Sequence, residues 1–142
     1  MNKQLIILQG RSNVGKSTSL NILYKLLLAN PVAKLIWFEA LGRKLDFIAT
    51  ISIEGQLVGI FNRGDVPAEV EKSLQLLMLK KCRVIVGAAH GKGEINDVLA
   101  SAERACQLVQ VPKKASLGKS LDISNQVTAH TLASMIYAAL IA

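Results

Sequence analysis

The chain has 142 residues, of which 51% are hydrophobic and 4% aromatic. This length is typical of one compact domain, and the composition excludes a disordered chain and favours sheet and helix layers packed through aliphatic side chains. A formal charge of +7, from 17 basic and 10 acidic residues, attracts polyanions such as nucleotides or nucleic acids, so it is compatible with a phosphate ligand without identifying one.

The N-terminal segment does not have the pattern of a secretion signal. Lys3 precedes the apolar run Leu5 to Leu8, which is shorter than the roughly 7 to 15 residues that a signal requires. No stretch approaches the roughly 18 uninterrupted apolar residues of a membrane span. We therefore predict a soluble cytoplasmic protein with no membrane association. Cys82 and Cys106 have neither a CxxC pairing nor metal-ligand spacing, so we predict that both are reduced thiols in the core.

The first part of the chain predicts a strand, a glycine-containing turn, a helix and a second strand. Gln4 to Leu8 is a short apolar run ending at Gly10, as expected of a strand buried on both faces. Ser17 to Leu28 repeats apolar residues at helical spacing, and Pro31 ends that helix. Val32 to Phe38 predicts the second strand.

The middle of the chain predicts a hairpin, a helix and another buried strand. Phe47 to Ile53 and Gln56 to Phe61 are separated by Glu54 and Gly55 alone, which is the spacing of a tight antiparallel hairpin. A helix is then predicted from Pro67 to Lys80. The strand at Arg83 to Ala89 is expected to lie beside the first strand.

The last part predicts a helix at Ile95 to Gln107, a short edge strand at Leu108 to Val111, a basic loop at Pro112 to Lys119 and a helix at Ile123 to Ile141. Strands that alternate with helices favour an α/β fold, here a three-layer sandwich around a mostly parallel sheet with an added antiparallel hairpin. No repeat or linker interrupts the pattern, so residues 1–142 are predicted to form a single domain.

One motif predicts the chemistry. The string GRSNVGKST matches GxxxxGK[ST] at every fixed position and lies between a predicted strand and a predicted helix. Glycines let the loop curl so that backbone N–H groups converge on phosphate oxygens at the positive end of the helix dipole. Lys16 can reach the β and γ phosphates, and the Ser17 hydroxyl is placed to bind Mg²⁺. The predicted phosphate-binding residues are Gly10, Arg11, Ser12, Asn13, Val14, Gly15, Lys16, Ser17 and Thr18.

Through Gly10, Gly15, Lys16 and Ser17, together with the strand and helix on either side, the chain resembles the P-loop NTPase superfamily. The resemblance is limited to this first strand, loop and helix; the rest of the chain matches in layout alone. It implies binding of ATP or GTP with Mg²⁺ and leaves the reaction open. The absence of an NKxD motif argues against the GTPase version, so we place ATP ahead of GTP.

Two acidic residues are candidates for the carboxylate that supports Mg²⁺ in P-loop enzymes. Glu39 directly follows an apolar run, and Asp65 lies beyond the end of the hairpin. The structural alternative for Glu39 is a solvated residue at a strand end, and for Asp65 it is the N-cap of the helix opening at Pro67. Ser17, Glu39 and Asp65 are the candidate metal ligands, and Lys16 and Asp65 the candidate catalytic residues.

Other basic residues could contact a phosphate. The turn from His90 to Gly93 follows the strand expected beside the first one, at the sheet edge where ligands bind. Arg43, Lys44 and Arg63 could hold an acceptor or stabilise charge. The alternative is that these are ordinary turn and solvated loop residues.

Two features of the sequence bear on macromolecular partners, namely nucleic acid and a second copy of the chain. Lys113, Lys114 and Lys119 form a basic cluster suited to nucleic acid, but no aromatic residue is interleaved to stack on bases, so nucleic acid is not favoured. The final helix, rich in small apolar residues, is expected to pack on the sheet, and a homodimer interface is the alternative.

The sequence therefore favours a Mg²⁺-dependent P-loop NTPase or small phosphotransferase that transfers the γ-phosphoryl group of its nucleotide to water or to an acceptor. The alternative is a nucleotide-binding regulatory or interaction module with little turnover, beside a nucleic-acid or other partner.

Overall fold

In the computed structural model the described residues are 3–11, 14–42, 45–91, 93–114 and 119–142, with the backbone alone at Lys119. Several residues of the predicted sites therefore lie outside the description, namely Ser12, Asn13, Arg43, Lys44 and Lys92. The described residues form, in chain order, β1 (Gln4–Gln9), α1 (Lys16–Leu28), β2 (Ala33–Ala40), β3 (Phe47–Ile53), β4 (Gln56–Phe61), α2 (Pro67–Leu79), β5 (Val84–Ala89), α3 (Ile95–Ala102), β6 (Gln107–Pro112) and α4 (Lys119–Ile141).

The strands form one mixed sheet in the order β2-β3-β4-β5-β1-β6. β4, β5, β1 and β6 are mutually parallel, whereas β3 is antiparallel to both of its neighbours. The expected α/β class, the hairpin of β3 and β4, the edge position of β6 and the placement of β5 beside β1 are confirmed. The carboxyl ends of the four parallel strands share one edge of the sheet, which is where ligands bind in sheets of this kind.

Helices cover both faces of the sheet. On one face, α1 and α4 pack against alternate residues of the strands, such as Ile6 in β1 and Ile51 in β3. On the other face, α2 and α3 pack against the intervening residues, such as Ile7 and Ile48. Leu5 to Leu8 are completely buried, because β1 lies between two strands and two helix layers.

The structure corrects the extent of several elements. α3 ends at Ala102, not Gln107, because the following residues must reach β1, where the Gln107 amide donates to the Lys3 carbonyl at 2.8 Å. β2 continues to Ala40, so Glu39 lies inside this strand and not after it.

The last helix also differs from its expected pattern. It begins at Lys119, earlier than Ile123, and Val127, although apolar, is 60% exposed. Its small apolar residues Ala129, Ala133 and Ala139 are buried against the core, as the packing interpretation predicted.

The two cysteines are free, buried thiols, as the sequence predicted. Burial raises the pKa of Cys82 to about 11 and also raises the pKa of Cys106. Among the described residues, no helix combines the length and apolar character needed to cross a bilayer.

Candidate functional site

The site begins where the chain leaves β1 and enters α1. Gly15 is the N-cap of α1 and has a φ of 95°, a conformation that glycine adopts without the steric penalty of a Cβ. Within the described residues, no side chain caps this helix, and its first turn carries no acidic residue. The first N–H groups of α1 therefore point out of the helix end toward the loop, which is the usual geometry of an anion site.

The two glycines of the loop lie in close contact with different neighbours, Gly10 with the backbone just after β6 and Gly15 with a side chain of α4. A Cβ at Gly10 would lie 2.4 Å from the Lys113 carbonyl oxygen, and a Cβ at Gly15 would lie 2.1 Å from the Asn125 Oδ1. Contacts this short do not occur, so a side chain at Gly10 would force the loop away from the end of β6, and one at Gly15 would force it away from Asn125 of α4. The two glycines thus allow the loop to lie close to both neighbours.

Lys16 is the central side chain of the loop. It is only 6% exposed, and its ammonium donates hydrogen bonds to the carbonyl oxygens of Gly10 and, at 3.1 Å, Arg11. Burial lowers the pKa of Lys16, and attraction by the Asp65 carboxylate partly opposes this. The ammonium has three N–H donors, so two bonds to loop carbonyls leave one donor for a further acceptor.

Two cavities meet at the N-terminus of α1. The larger, of about 320 Å³, extends toward α4, and the smaller, of about 230 Å³, extends toward the connection between β4 and α2. Lys16, Ser17 and Asp65 line both. The larger cavity is further lined by Gly15, Thr18, Leu121 and Asn125, and the smaller by Asp46, Asn62, Arg63, Gly64, Val66 and Glu69.

Asp65 is brought to Lys16 by the loop between β4 and α2. This loop is bound to the end of β5, because the His90 amide donates to the Gly64 carbonyl at 3.0 Å and a Cβ at Gly64 would lie 2.2 Å from the Ala88 oxygen. The N-cap of α2 is Val66, with no side-chain capping bond. The capping alternative for Asp65 is therefore wrong, and its exposed carboxylate lies at the junction of the two cavities.

Glu39 lies elsewhere. β2 is an edge strand, and three strands separate it from β1, a distance of roughly 19 Å at the usual strand spacing. Glu39 lines a third cavity, with Arg63 and Lys72 among its neighbours, and neither of the two cavities at Lys16. The structure thus brings one of the two candidate acids to Ser17 and Lys16.

Ser17 is held against the end of β4 by Asn62, a contact that the sequence did not suggest. The Ser17 hydroxyl donates to the Asn62 carbonyl at 3.4 Å. Asn62 is 2% exposed, and its side chain accepts from the Phe47 amide at 2.8 Å and donates to the Leu45 carbonyl at 2.7 Å. These bonds fix the start of β3 and the end of β4 beside α1.

Asn125, a second residue that was not predicted from the sequence, lies on the opposite side of the loop. It is 3% exposed, lines the larger cavity and accepts a hydrogen bond from the Ser19 hydroxyl at 3.2 Å, although the two residues are 106 positions apart in the chain. One signal was present: Asn125 falls at helical spacing with the buried Ala129 and Leu132, so a polar residue interrupts the apolar stripe of α4.

Of the other basic candidates, Arg63 and Lys113 form structural contacts, whereas Arg43, Lys44 and Lys92 lie outside the described residues. Arg63 forms an ion pair with Glu69 at 2.6 Å and donates to the Leu41 carbonyl at 3.1 Å. Lys113 is 5% exposed and donates to the Ser124 hydroxyl at 2.6 Å, so it belongs to the packing of α4 and not to an exposed basic cluster. His90 is partly exposed at the end of β5.

The donor set at this site suits Mg²⁺ bound together with phosphate. Among the described residues, no group of three or more His, Cys, Asp or Glu side chains could hold a metal by itself. Mg²⁺ is usually bound through one or two carboxylates, waters and substrate phosphates, and not by an all-protein cage. The Ser17 hydroxyl and Asp65 carboxylate at the junction of the two cavities fit that requirement.

In comparisons with known proteins, the chain matches no protein-family model, no curated protein and no solved structure. Inferences about its function therefore depend on the loop, the two cavities and the residues that line them.

The contact between Gly15 and Asn125 predicts how the loop responds to substitution. Gly15→Ala should lower the free energy of unfolding by roughly 2 to 4 kcal/mol, because it combines a left-handed φ with a steric clash. In a chain that already carries Asn125→Ala, the same Gly15→Ala substitution should lower the free energy of unfolding by a smaller amount, because the clash is removed while the φ strain remains. Urea unfolding measures both. Gly55→Ala is the matched control, since Gly55 has a similar left-handed φ of 82° and nothing lies within 4 Å of its Cβ position; equal losses at positions 15 and 55 would contradict the close contact.

Proposed function

We propose that this chain is a P-loop protein that binds a nucleoside triphosphate, ATP in preference to GTP, with Mg²⁺, and transfers its γ-phosphoryl group to water or to an acceptor. The observation that carries the proposal is the burial of the Lys16 ammonium across the loop between β1 and α1, at an uncapped helix N-terminus and beside Asp65.

The chemistry of Lys16 favours an anionic ligand. A buried ammonium is unfavourable unless its charge is compensated, and the lowered pKa of Lys16 reflects this desolvation. The loop carbonyls compensate the charge only through their dipoles, and Asp65 is exposed to solvent. A phosphate oxygen would give Lys16 a charge-assisted hydrogen bond, and the same phosphate would accept from the first N–H groups of α1.

The larger cavity supports the phosphate group as the bound moiety. Its volume of about 320 Å³ is at the low end of the range for ligand pockets, roughly 300 to 1,000 Å³. Four of its lining residues, Gly15 to Thr18, come from the loop end and first turn of α1. A triphosphate suits both this size and this polar lining.

Ser17 and Asp65 are the residues that would hold Mg²⁺ against the phosphates. The metal, when bound, supplies positive charge to the phosphate oxygens. Lys16 would donate to the β and γ phosphate oxygens and stabilise the charge that develops there during transfer. The Asn62 backbone carbonyl accepts from the Ser17 hydroxyl and so holds it where both cavities are lined by Ser17 and Asp65.

One observation favours the alternative, a nucleotide-binding module with little turnover. Among the described residues that line the larger cavity, Asp65 is the one acid, so a metal role for Asp65 would leave no second carboxylate in that cavity to orient an attacking water. Of the acids that line the smaller cavity, Glu69 is ion-paired with Arg63. Phosphate release from Mg·ATP, measured with and without DNA, separates the two functions. Release above background supports the enzyme, whereas tight binding with background release in both conditions supports the module.

Nucleotide binding tests the proposal directly. Lys16→Ala should weaken the affinity for Mg·ATP by roughly 10- to 100-fold, because a charge-assisted contact to phosphate is lost. Isothermal titration calorimetry measures the affinity. Lys25→Ala, an exposed lysine in the last turn of the same helix, is the control and should bind as the unmodified chain does. Full ATP affinity in a folded Lys16→Ala protein would remove the premise of both functions.

The two acids can be separated by matched substitutions. Asp65→Asn should weaken the Mg²⁺-dependent part of ATP binding by roughly tenfold, because it removes the charge of a metal ligand. Glu39→Gln, at the far edge of the sheet, should leave it unchanged. The measurement is ATP affinity with Mg²⁺ and with EDTA for each variant. A Mg²⁺ dependence that is lost in Glu39→Gln and retained in Asp65→Asn would reverse the assignment.

A further inference from the structure

β2 is an exposed, apolar edge strand. Within the described part of the chain it pairs with β3 alone. Its large apolar side chains remain in solvent: Leu35 and Phe38 are each 46% exposed, and Ile36 is 56% exposed. An edge of this kind presents unpaired N–H and C=O groups along its outer side, which favours pairing with another strand.

A bulge decides which side chains of β2 share a face. The register against β3 shifts between Leu35 and Trp37, so Ile36 is an extra residue. Lys34 is paired with Ser52 and Glu39 with Ile48, two positions of β3 that share a face by the two-residue period. Lys34 and Glu39 therefore lie on the same side of the sheet. Without the bulge, their odd separation would place them on opposite sides.

The apolar residues Leu35 and Phe38 share the other face of the sheet. Leu35 is opposite Ile51, and Phe38 is opposite Ala49, which both contribute to the core under α1 and α4. Phe38 accordingly lies 5.6 Å, centroid to centroid, from the Tyr24 ring of α1. Leu35 and Phe38 thus share the α1 face, while Lys34 and Glu39 share the α2 face.

These positions make β2 complementary to itself. When two copies of an antiparallel strand pair around a two-fold axis perpendicular to the sheet, opposing residues must share a face. If the axis passes between Ile36 and Trp37, the residues that oppose each other do share a face, both for Lys34 and Glu39 and for Leu35 and Phe38. In this register Lys34 of one copy lies opposite Glu39 of the other. Leu35 lies opposite Phe38 in the same way, and Ile36 opposite Trp37.

We propose that β2 pairs antiparallel with β2 of a second copy in this register, forming a homodimer with one continuous sheet. Each end of the shared ladder then carries an ion pair between Lys34 of one copy and Glu39 of the other. The apolar pairs between them remove exposed surface from water. An interface made by one strand is at the small end of the usual size range, so the dimer exchanges with monomer. The proposal is independent of nucleotide binding.

Charge reversal tests the pairing. The mass of the chain by sedimentation equilibrium should rise with concentration from 15.3 kDa toward twice that value. Lys34→Glu should raise the dimer dissociation constant by about tenfold or more, since it puts like charges opposite each other at both ends. Lys34→Glu/Glu39→Lys should restore most of the affinity. Val127→Glu, on the exposed side of α4, is the control and should not change it.

Cysteine cross-linking tests the register. Lys34→Cys/Glu39→Cys should form an intermolecular disulfide on mild oxidation, because the two positions face each other across the copies. Lys34→Cys alone should not, because in this register its two copies are roughly 13 Å apart along the strands, the length of the four residue steps of β3 that lie opposite this span. The native thiols Cys82 and Cys106 are buried and should not contribute.

The proposal fails if the chain stays at monomer mass up to a concentration of about 1 mM, because a dimer with a dissociation constant weaker than that would not be detected. It also fails if a dimer forms whose dissociation constant is unaffected by Lys34→Glu and by Ile36→Lys, since that dimer would use another surface. Circular dichroism of each variant verifies that the monomer remains folded, and Ile36→Lys is suited to this because its side chain is largely in solvent.

Discussion

The Lys16 ammonium, removed from water and held over the carbonyl oxygens of Gly10 and Arg11, is the constraint on which the rest of the site depends. Placing a cation there lowers its pKa, and a protein without use for that charge could bury an apolar side chain at lower cost. The bonds from Lys16 also tie Gly10 and Arg11 to the first residue of α1. The positive charge of Lys16 therefore lies at a helix N-terminus that, within the described residues, has no side-chain cap.

Two buried asparagines hold this arrangement from opposite sides. The Asn125 side chain of α4 accepts from Ser19 and lies against Gly15, while the backbone carbonyl of Asn62 at the end of β4 accepts from Ser17. Buried side-chain amides are stable only when their polar atoms are paired. The Asn125 amide therefore fixes the spacing between α1 and α4, and the Asn62 amide, paired with the backbone of Phe47 and Leu45, fixes the end of β4 whose carbonyl binds α1. The larger cavity lies between α1 and α4 and the smaller between α1 and the end of β4, and Lys16 and Ser17 line both.

The local parts of this structure follow from the sequence, whereas the long-range parts do not. Strand, loop and helix from Gln4 to Leu28 could be predicted because glycine placement and apolar spacing act between near neighbours. The choice between Glu39 and Asp65 could not, because it depends on strand order, which puts β2 at the edge and β4 near β1. Asn125 was missed for the same reason, since its contact with Ser19 joins distant parts of the chain.

The glycine and lysine motif between β1 and α1 gave no indication of the exposed edge at β2. Its apolar run predicts a strand, but the exposure of that strand and the bulge at Ile36 appear only once the sheet is assembled. The edge lies far from the loop, so self-association and ligand binding can be examined separately.

The central claim, that phosphates bind at the start of α1, is tested most directly by titrating the ¹⁵N-labelled chain with Mg²⁺ and a nonhydrolysable ATP analogue. The largest amide shifts should fall on Gly15, Lys16, Ser17 and Thr18, where backbone N–H groups would meet the phosphates. Shifts that are absent at saturating nucleotide, or that are confined to surfaces away from this loop, would contradict it.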